Sequence, residues 1–271
     1  MIMPKLKKSY WGGGYREHWL DLTKGIGIIL VVWAHAIPRE EYIWILINQF
    51  HMPLFFMISG YLYKTKGRWK EFVIGKIRGL WLPYVVSSLI TSVVAAISGT
   101  EIGVKNLIKI VLMLGYGPLL GATWFLQVMF YSVVLYDLIV RTVRRLPKAD
   151  VVMNTTAIIC LAAGVLTHLP YHASVIMNTV FFLHLGQLLR KHRQWEDWGY
   201  PIFIILLGLC AGISIINRTS YTSNTYTNPV LFIVGAITGS IGVIGEEDKA
   251  VSTTPLFFQS AILNGEEDSW M

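Results

Sequence analysis

The sequence predicts an all-α fold, a polytopic transmembrane bundle of about eight or nine helical spans with its N-terminus in the cytoplasm. Three observations carry this. Of 271 residues, 54% are hydrophobic and only 14% charged, and the mean hydropathy of +0.53 lies outside the range of soluble domains. Apolar stretches of span length recur along the chain. The basic residues are partitioned between them. The clusters Lys5 to Arg16, Lys64 to Arg78, Arg141 to Lys148 and Arg190 to Arg193 hold 17 of the 23 Lys and Arg, whereas the alternate loops hold Arg39, Lys105, Lys109 and Arg218. The positive-inside rule turns that asymmetry into an orientation.

Taken in order, residues 1–18 form a basic cytoplasmic segment without a small-residue cleavage site after the following apolar run, so the first span is expected to be retained. Spans are expected near 19–37, 43–63, 79–98, 123–140, 151–168, 174–189, 200–216 and 228–244. Residues 103–120 are apolar too. Lys105 and Lys109 lie one turn apart there and the run ends in GYGP, so a surface-lying or re-entrant helix on the outer side fits better than a crossing. Residues 251–264 are a ninth, short and incomplete candidate. The expected division is therefore an integral domain over 19–245, preceded by the N-terminal segment and followed by an atypical tail over 246–271. The tetrapeptide GEED, at 245–248 and 265–268, marks no structural repeat.

The net charge of +7 does not indicate nucleic acid, because the basic residues are dispersed among apolar spans and form no patch with interleaved aromatics. Cys160 and Cys210 sit inside apolar runs and read as small core residues. His168 and His172, in HLPYH, have a metal-like spacing, but Pro170 interrupts the helix and a third ligand is lacking, so no metal site is expected.

Ionisable residues inside spans are costly and mark function by default. The first span, WLDLTKGIGIILVVWAHAIP, carries Asp21, Lys24 and His35. Eleven residues is three turns plus about 20°, so Lys24 and His35 share a face, roughly 16 Å apart along it, with Asp21 within about 40°. His35 is a candidate general base toward a hydroxyl; its alternative is a hydrogen bond to a neighbouring helix. Lys24 alternatively snorkels to the interface, and Asp21 pairs with it. Gly25 and Gly27 would admit another helix to this stripe. In the second span, Asn48, His51 and Ser59 form a polar arc, and Pro53 denies a donor to the Gln49 carbonyl. Trp124 opens the fourth span, where interfacial aromatics are expected, and Asp137 answers Arg141 one turn on. For His184 a structural hydrogen bond is expected.

The stretches TKGIGIILVVWAHAIP, NQFHMPLFFMISGYLY, LWLPYV, TWFLQVMFY and FFLHLGQLLRK resemble, in that order, the acyltransferase 3 family of bacterial membrane proteins, and within it the fucose 4-O-acetylase-like group. The resemblance covers roughly residues 15–245. Its pattern of a basic residue, ten residues and a histidine falls on Lys24 and His35, and its second-helix block on Phe50, His51, Pro53, Ser59 and Gly60. It implies transfer of an acyl group, commonly acetyl, from cytosolic acyl-CoA to a hydroxyl of a glycan or lipid-linked glycan in the cell envelope, with His35 catalytic.

On that reading the catalytic residues are His35, Lys24 and His51, and the substrate-binding residues Asp21, Asn48, Ser59 and Trp124. Lys76, Arg78, Arg144 and Arg145 stand on the side where CoA phosphates arrive, as do Arg190 and Lys191. No cofactor is permanently held; acetyl-CoA is a co-substrate. The partners are acyl-CoA, the acceptor and membrane lipids, in a bacterial plasma membrane. The chain departs from the family at its end. A Gly-Lys-Ser-Leu motif and a His-containing helix would be expected there, and an acidic segment from Gly245 to Met271 stands in their place, so the C-terminal part is expected to be truncated or altered. Two alternatives remain open, a transporter using the Asp21, Lys24 and His35 stripe and a non-catalytic homologue.

Overall fold

The computed structural model describes residues 10–11, 14–15, 18–65, 67–99, 103–112 and 123–253. They form ten α-helices, two two-residue antiparallel hairpins, a π turn and a short 3-10 turn. The helices are α1 (His18–Ala36), α2 (Tyr42–Leu62), α3 (Trp69–Lys76), α4 (Leu82–Ile97), α5 (Val104–Val111), α6 (Trp124–Val143), α7 (Ala149–Leu166), α8 (Ala173–Lys191), α9 (Tyr200–Ile216) and α10 (Pro229–Thr253). Strands β1 (Tyr10–Trp11) and β2 (Gly14–Tyr15) pair, as do β3 (Thr219–Ser220) and β4 (Thr225–Tyr226).

Each of the eight expected spans is a helix. Five stretches are long and apolar enough to cross a membrane: 19–36, α2, the continuous run Trp69–Ile97, α6 and α7. The run Trp69–Ile97 joins α3 to α4 through a π turn at Ile77–Trp81. Helices α9 and Pro229–Gly245 are apolar but shorter. Helix α8 is long, yet Asn178, Thr179, His184, Gln187 and Arg190 dilute its apolarity. The chain is a helical, multi-pass membrane protein. Helix α5 has eight residues, about 12 Å by helical rise, far short of a crossing. The Trp81 indole and Tyr131 hydroxyl bind its last carbonyls, donating to Val111 (3.0 Å) and Leu112 (2.8 Å). Most of the expected ninth span, from residue 254 onward, lies outside the described residues.

Two compact units partition the chain. The first comprises Met1–Phe55, His192–Arg218 and Val230–Met271. Here α10 presents Gly235, Gly239 and Gly242 to its neighbours. A Cβ at Gly239 would meet Cys210 Sγ and the Phe50 side chain at 2.7 Å, and one at Gly242 would meet Leu207 at 2.7 Å. Small residues thus admit the helices to close approach. The Gln49 amide donates to the carbonyls of Leu231 (3.3 Å) and Phe232 (3.2 Å), and the Tyr42 hydroxyl to Ala211 O (2.6 Å). Trp19 packs edge-on against Trp195. Cys210 is fully buried, as its apolar setting in the sequence requires.

The second unit comprises Phe56–Lys191 and Thr219–Pro229. Helices α6 and α8 run in the same direction, with Ser132 bonded to Ile176 O and Tyr136 to His184, while α7 runs against them. The end of α2 crosses α8 at Gly60 and Gly186. A Cβ on Gly60 would strike Leu183 O, and one on Gly186 would strike Met57 O. Beyond the crossing, Gln187 donates to the carbonyls of Gly60 and Tyr63 (2.9 Å), and Arg190 to those of Tyr61 (3.4 Å) and Tyr63 (3.1 Å). Carbonyls at a helix C-terminus lack intrahelical donors, so an amide and a guanidinium supply them.

Candidate functional site

In the first unit, α1 packs through Thr23, Gly27 and Ala34, all buried. A Cβ at Gly27 would reach the Phe55 ring at 2.8 Å, whereas one at Gly25 would meet nothing within 4 Å. The expectation that both glycines admit a neighbouring helix therefore holds for Gly27 and fails for Gly25. At 100° per residue Gly25 projects about 160° from Gly27, on the other side of the helix. Lys24 and His35 do share a face, turned about 100° from the packed one, so the polar stripe runs beside the contact and not through its centre. Lys24 is half-buried, while Asp21 and His35 are exposed. Lys24 Nζ donates to Asp21 Oδ1 at 3.2 Å, the pairing expected from their spacing.

On α2 the polar arc folds back onto its own helix. The Asn48 amide donates to Trp44 O (2.9 Å). His51 is buried, and its Nδ1 lies 2.7 Å from Ile47 O. A carbonyl oxygen only accepts, so this contact assigns the proton to Nδ1 and leaves Nε2 as the nitrogen with the lone pair. His35 lies within electrostatic range of His51. The first unit therefore holds an exposed and a buried imidazole as neighbours, with the buried one fixed in a single tautomer. That is an arrangement able to accept a proton.

The remaining expected site residues belong to the second unit. Ser59 is half-buried on α2. Lys76 Nζ stands 5.2 Å from the centre of the Phe72 ring and within electrostatic range of Asp137. Arg78 projects from the π turn, and Arg144 and Arg145 follow α6; all three are exposed and form no ion pair among the described residues. Arg190 and Lys191 are instead engaged, Arg190 with the α2 carbonyls and Lys191 with Asp150 at 2.7 Å. Asp137 is fully buried. It accepts from Arg141 Nε (2.6 Å), as its spacing predicts, and from the Tyr63 hydroxyl (2.6 Å), while Arg141 also donates to Gly67 O (3.1 Å). Burial, then Asp137 as acceptor, raises the Tyr63 pKa and keeps that hydroxyl a donor. His184 bonds Tyr136 (3.2 Å) and Asn154 (2.7 Å) through its two nitrogens, the structural role expected of it.

Trp124 is buried at the opposite end of the unit, the first residue of α6, within an aromatic group that the sequence reasoning missed. Its ring lies 6.1 Å from His172 at 28° and 6.4 Å from Tyr221 at 32°. Tyr221 also meets Phe56 and Phe182, and its hydroxyl bonds Thr179 Oγ1 at 3.0 Å. Burial lowers the His172 pKa and raises that of Tyr221, so both stay neutral. Gln127 was missed as well, although a primary amide inside an apolar span was visible in WFLQV. Tyr221 gave no such signal, because it lies in a loop with no periodicity. Among the described residues no three His, Cys, Asp or Glu side chains gather as metal ligands.

Comparison with known proteins gives this geometry a context. The chain is similar to the nodulation protein NolL of Mesorhizobium japonicum, 29% identical over 238 residues, which cover 81% of this chain and 61% of that relative. It thus spans about three fifths of the relative's length. No solved structure matches. A family model described as an acyltransferase domain matches residues 17–245, which takes in both imidazoles and every helix from α2 to α9. The chain belongs to the acyltransferase 3 family.

Proposed function

We propose that this protein transfers an acyl group, acetyl in the simplest case, from cytosolic acyl-CoA to a hydroxyl of a cell-envelope glycan or lipid-linked glycan. The observation that carries the reading is the family match over a segment containing the two neighbouring imidazoles of α1 and α2. His35 is the general base. It takes the proton of the acceptor hydroxyl as the oxygen attacks the thioester carbonyl; the new C–O bond forms, the C–S bond breaks, and the departing thiolate takes up a proton to give CoA. A positioned base of this kind contributes about 10²–10⁴-fold in rate. His51, held by Ile47 O with Nε2 open, is a second proton acceptor beside it. Lys24, oriented by Asp21, meets the donor or shapes the cavity. The exposed Lys and Arg at 78, 144, 145 and half-buried Lys76 attract the CoA phosphates. Asn48, Ser59 and Trp124 line the acceptor path. The protein resides in a bacterial plasma membrane with its N-terminus inside, in keeping with the distribution of basic residues.

The test is ester-linked acetate on the surface glycans of host cells expressing the chain, with the native protein, His35→Ala and His51→Asn compared at matched membrane abundance. Acetate should appear with the native chain and drop by about 10²-fold or more with His35→Ala. Undiminished acetate in that variant removes His35 from the mechanism. Solute uptake with no acyl turnover would replace the enzyme by a transporter.

A further inference from the structure

Gln127 stands three residues along α6 from Trp124, and helix positions three apart are surface neighbours. It is fully buried, and neither amide atom, Nε2 nor Oε1, has a hydrogen-bond partner among the described residues. The other buried amides at this end of the unit are engaged. Asn178 Nδ2 donates to Asn224 Oδ1 at 2.9 Å, and Asn224 Nδ2 to the carbonyls of Gly164 (2.8 Å) and Thr167 (3.0 Å). A primary amide shut from water with both ends unanswered weakens the fold, and more so within an apolar span, while a methionine would fill the same volume at no such cost. Buried polar groups are otherwise bonded almost without exception, so one left open marks a place where another molecule supplies the bonds.

The open atoms define that molecule. The amide presents donors and an acceptor side by side, and a hydroxyl is the smallest neutral group that answers both. Beside it lie the Trp124, His172 and Tyr221 rings, nearly parallel and about 6 Å apart. Apolar and aromatic walls with a few placed polar groups are the composition of a small-molecule site, and ring faces of this kind suit the C–H faces of a sugar. We propose that Gln127, with Trp124, forms a buried binding site for a neutral, hydroxyl-bearing ligand of pyranose type at the Trp124 end of the second unit. That this ligand is the acyl acceptor rests on the acyl-transfer reading above; the site itself does not.

The test uses the full chain purified in detergent, native and Gln127→Met, with thermal unfolding followed alone and with methyl glycosides of glucose, galactose, N-acetylglucosamine and fucose. Without ligand, Gln127→Met should unfold roughly 2–4 °C higher, as expected when an unanswered amide is removed from a chain of this size. At least one glycoside should raise the midpoint of the native chain and leave that of Gln127→Met unmoved. An equal or lower midpoint for the variant, or its failure to accumulate, would mean that the amide is bonded within the fold and would overturn the proposal. So would a glycoside shift equal in the two proteins, or none in the native chain. Glycan acetate in host cells separates the two readings: a glycoside shift that depends on Gln127, with no acetate from native protein, keeps the site and removes the acyl transfer.

Discussion

The two ends of the second unit solve the problem of buried polarity in opposite ways. At one end Asp137 sits fully buried between Arg141 and Tyr63, Arg141 reaches on to the Gly67 carbonyl, and Gln187 and Arg190 close the last carbonyls of α2. Charge is present there, and it is answered. At the other end the polar groups are neutral. Asn224 holds the end of α7, Asn178 and the Tyr226 hydroxyl hold Asn224, and one amide, Gln127, is answered by nothing among the described residues. A closed ionic network anchors helices, whereas an open neutral group among aromatic rings invites a ligand.

Three substitutions test that contrast. Asp137→Ala has the largest expected effect, about 3–5 kcal/mol of stability, because it strands the Arg141 charge and the Tyr63 hydroxyl. Thermal unfolding in detergent measures it, and the double change Asp137→Leu with Arg141→Leu should recover much of the loss. A single variant as stable as the native chain would end the claim that this network anchors α6. Asn224→Ala comes next. Asn224 adopts a left-handed backbone, φ 53°, which its short polar side chain tolerates, and its amide is the shared donor for two carbonyls at the end of α7. Its loss should cost about 2 kcal/mol, with faster amide exchange confined to α7 and the β3–β4 hairpin. Global exchange would instead show that this end carries the fold. The smallest effect belongs to Lys191→Ala. Its pair with Asp150 is solvent-exposed, at 53% and 83% of the two side chains, and should contribute less than about 1 kcal/mol and disappear at high salt. A larger, salt-resistant loss would place that pair inside the anchor.

What could be read in advance depended on whether the cause was local. The spans were legible because apolarity over about twenty residues needs no knowledge of partners. The Asp21 to Lys24 and Asp137 to Arg141 pairs followed from spacing on one helix, and the burial of Cys210 from the apolar run around it. Polarity alone misjudged the packed face of α1. Lys24 and His35 defined a stripe, yet contact is made by Thr23, Gly27 and Ala34, chosen by small size. The caps supplied by Gln187 and Arg190 reach across 124 or more residues of chain, and no periodicity announces such a bond. The same holds for Tyr221, brought to Trp124 from almost a hundred positions away. The tautomer of His51 needed only its own helix, but it required a rotamer that a sequence does not state.

The π turn at Ile77–Trp81 has a consequence for how the chain can be edited. The Leu82 N–H reaches back five residues to Ile77 O, so the ladder of Trp69–Ile97 holds one residue more than an α-helix over the same rise. Upstream, the Gly67 carbonyl is tied to Arg141; downstream, the Trp81 indole is tied to Val111. Both ties are satisfied only with that surplus residue in place. Removing any one residue between them would let the helix relax to regular winding and swing one tie about 100° away from its partner. The length of this segment is therefore a count kept by two distant hydrogen bonds, and its side chains are freer to change than their number.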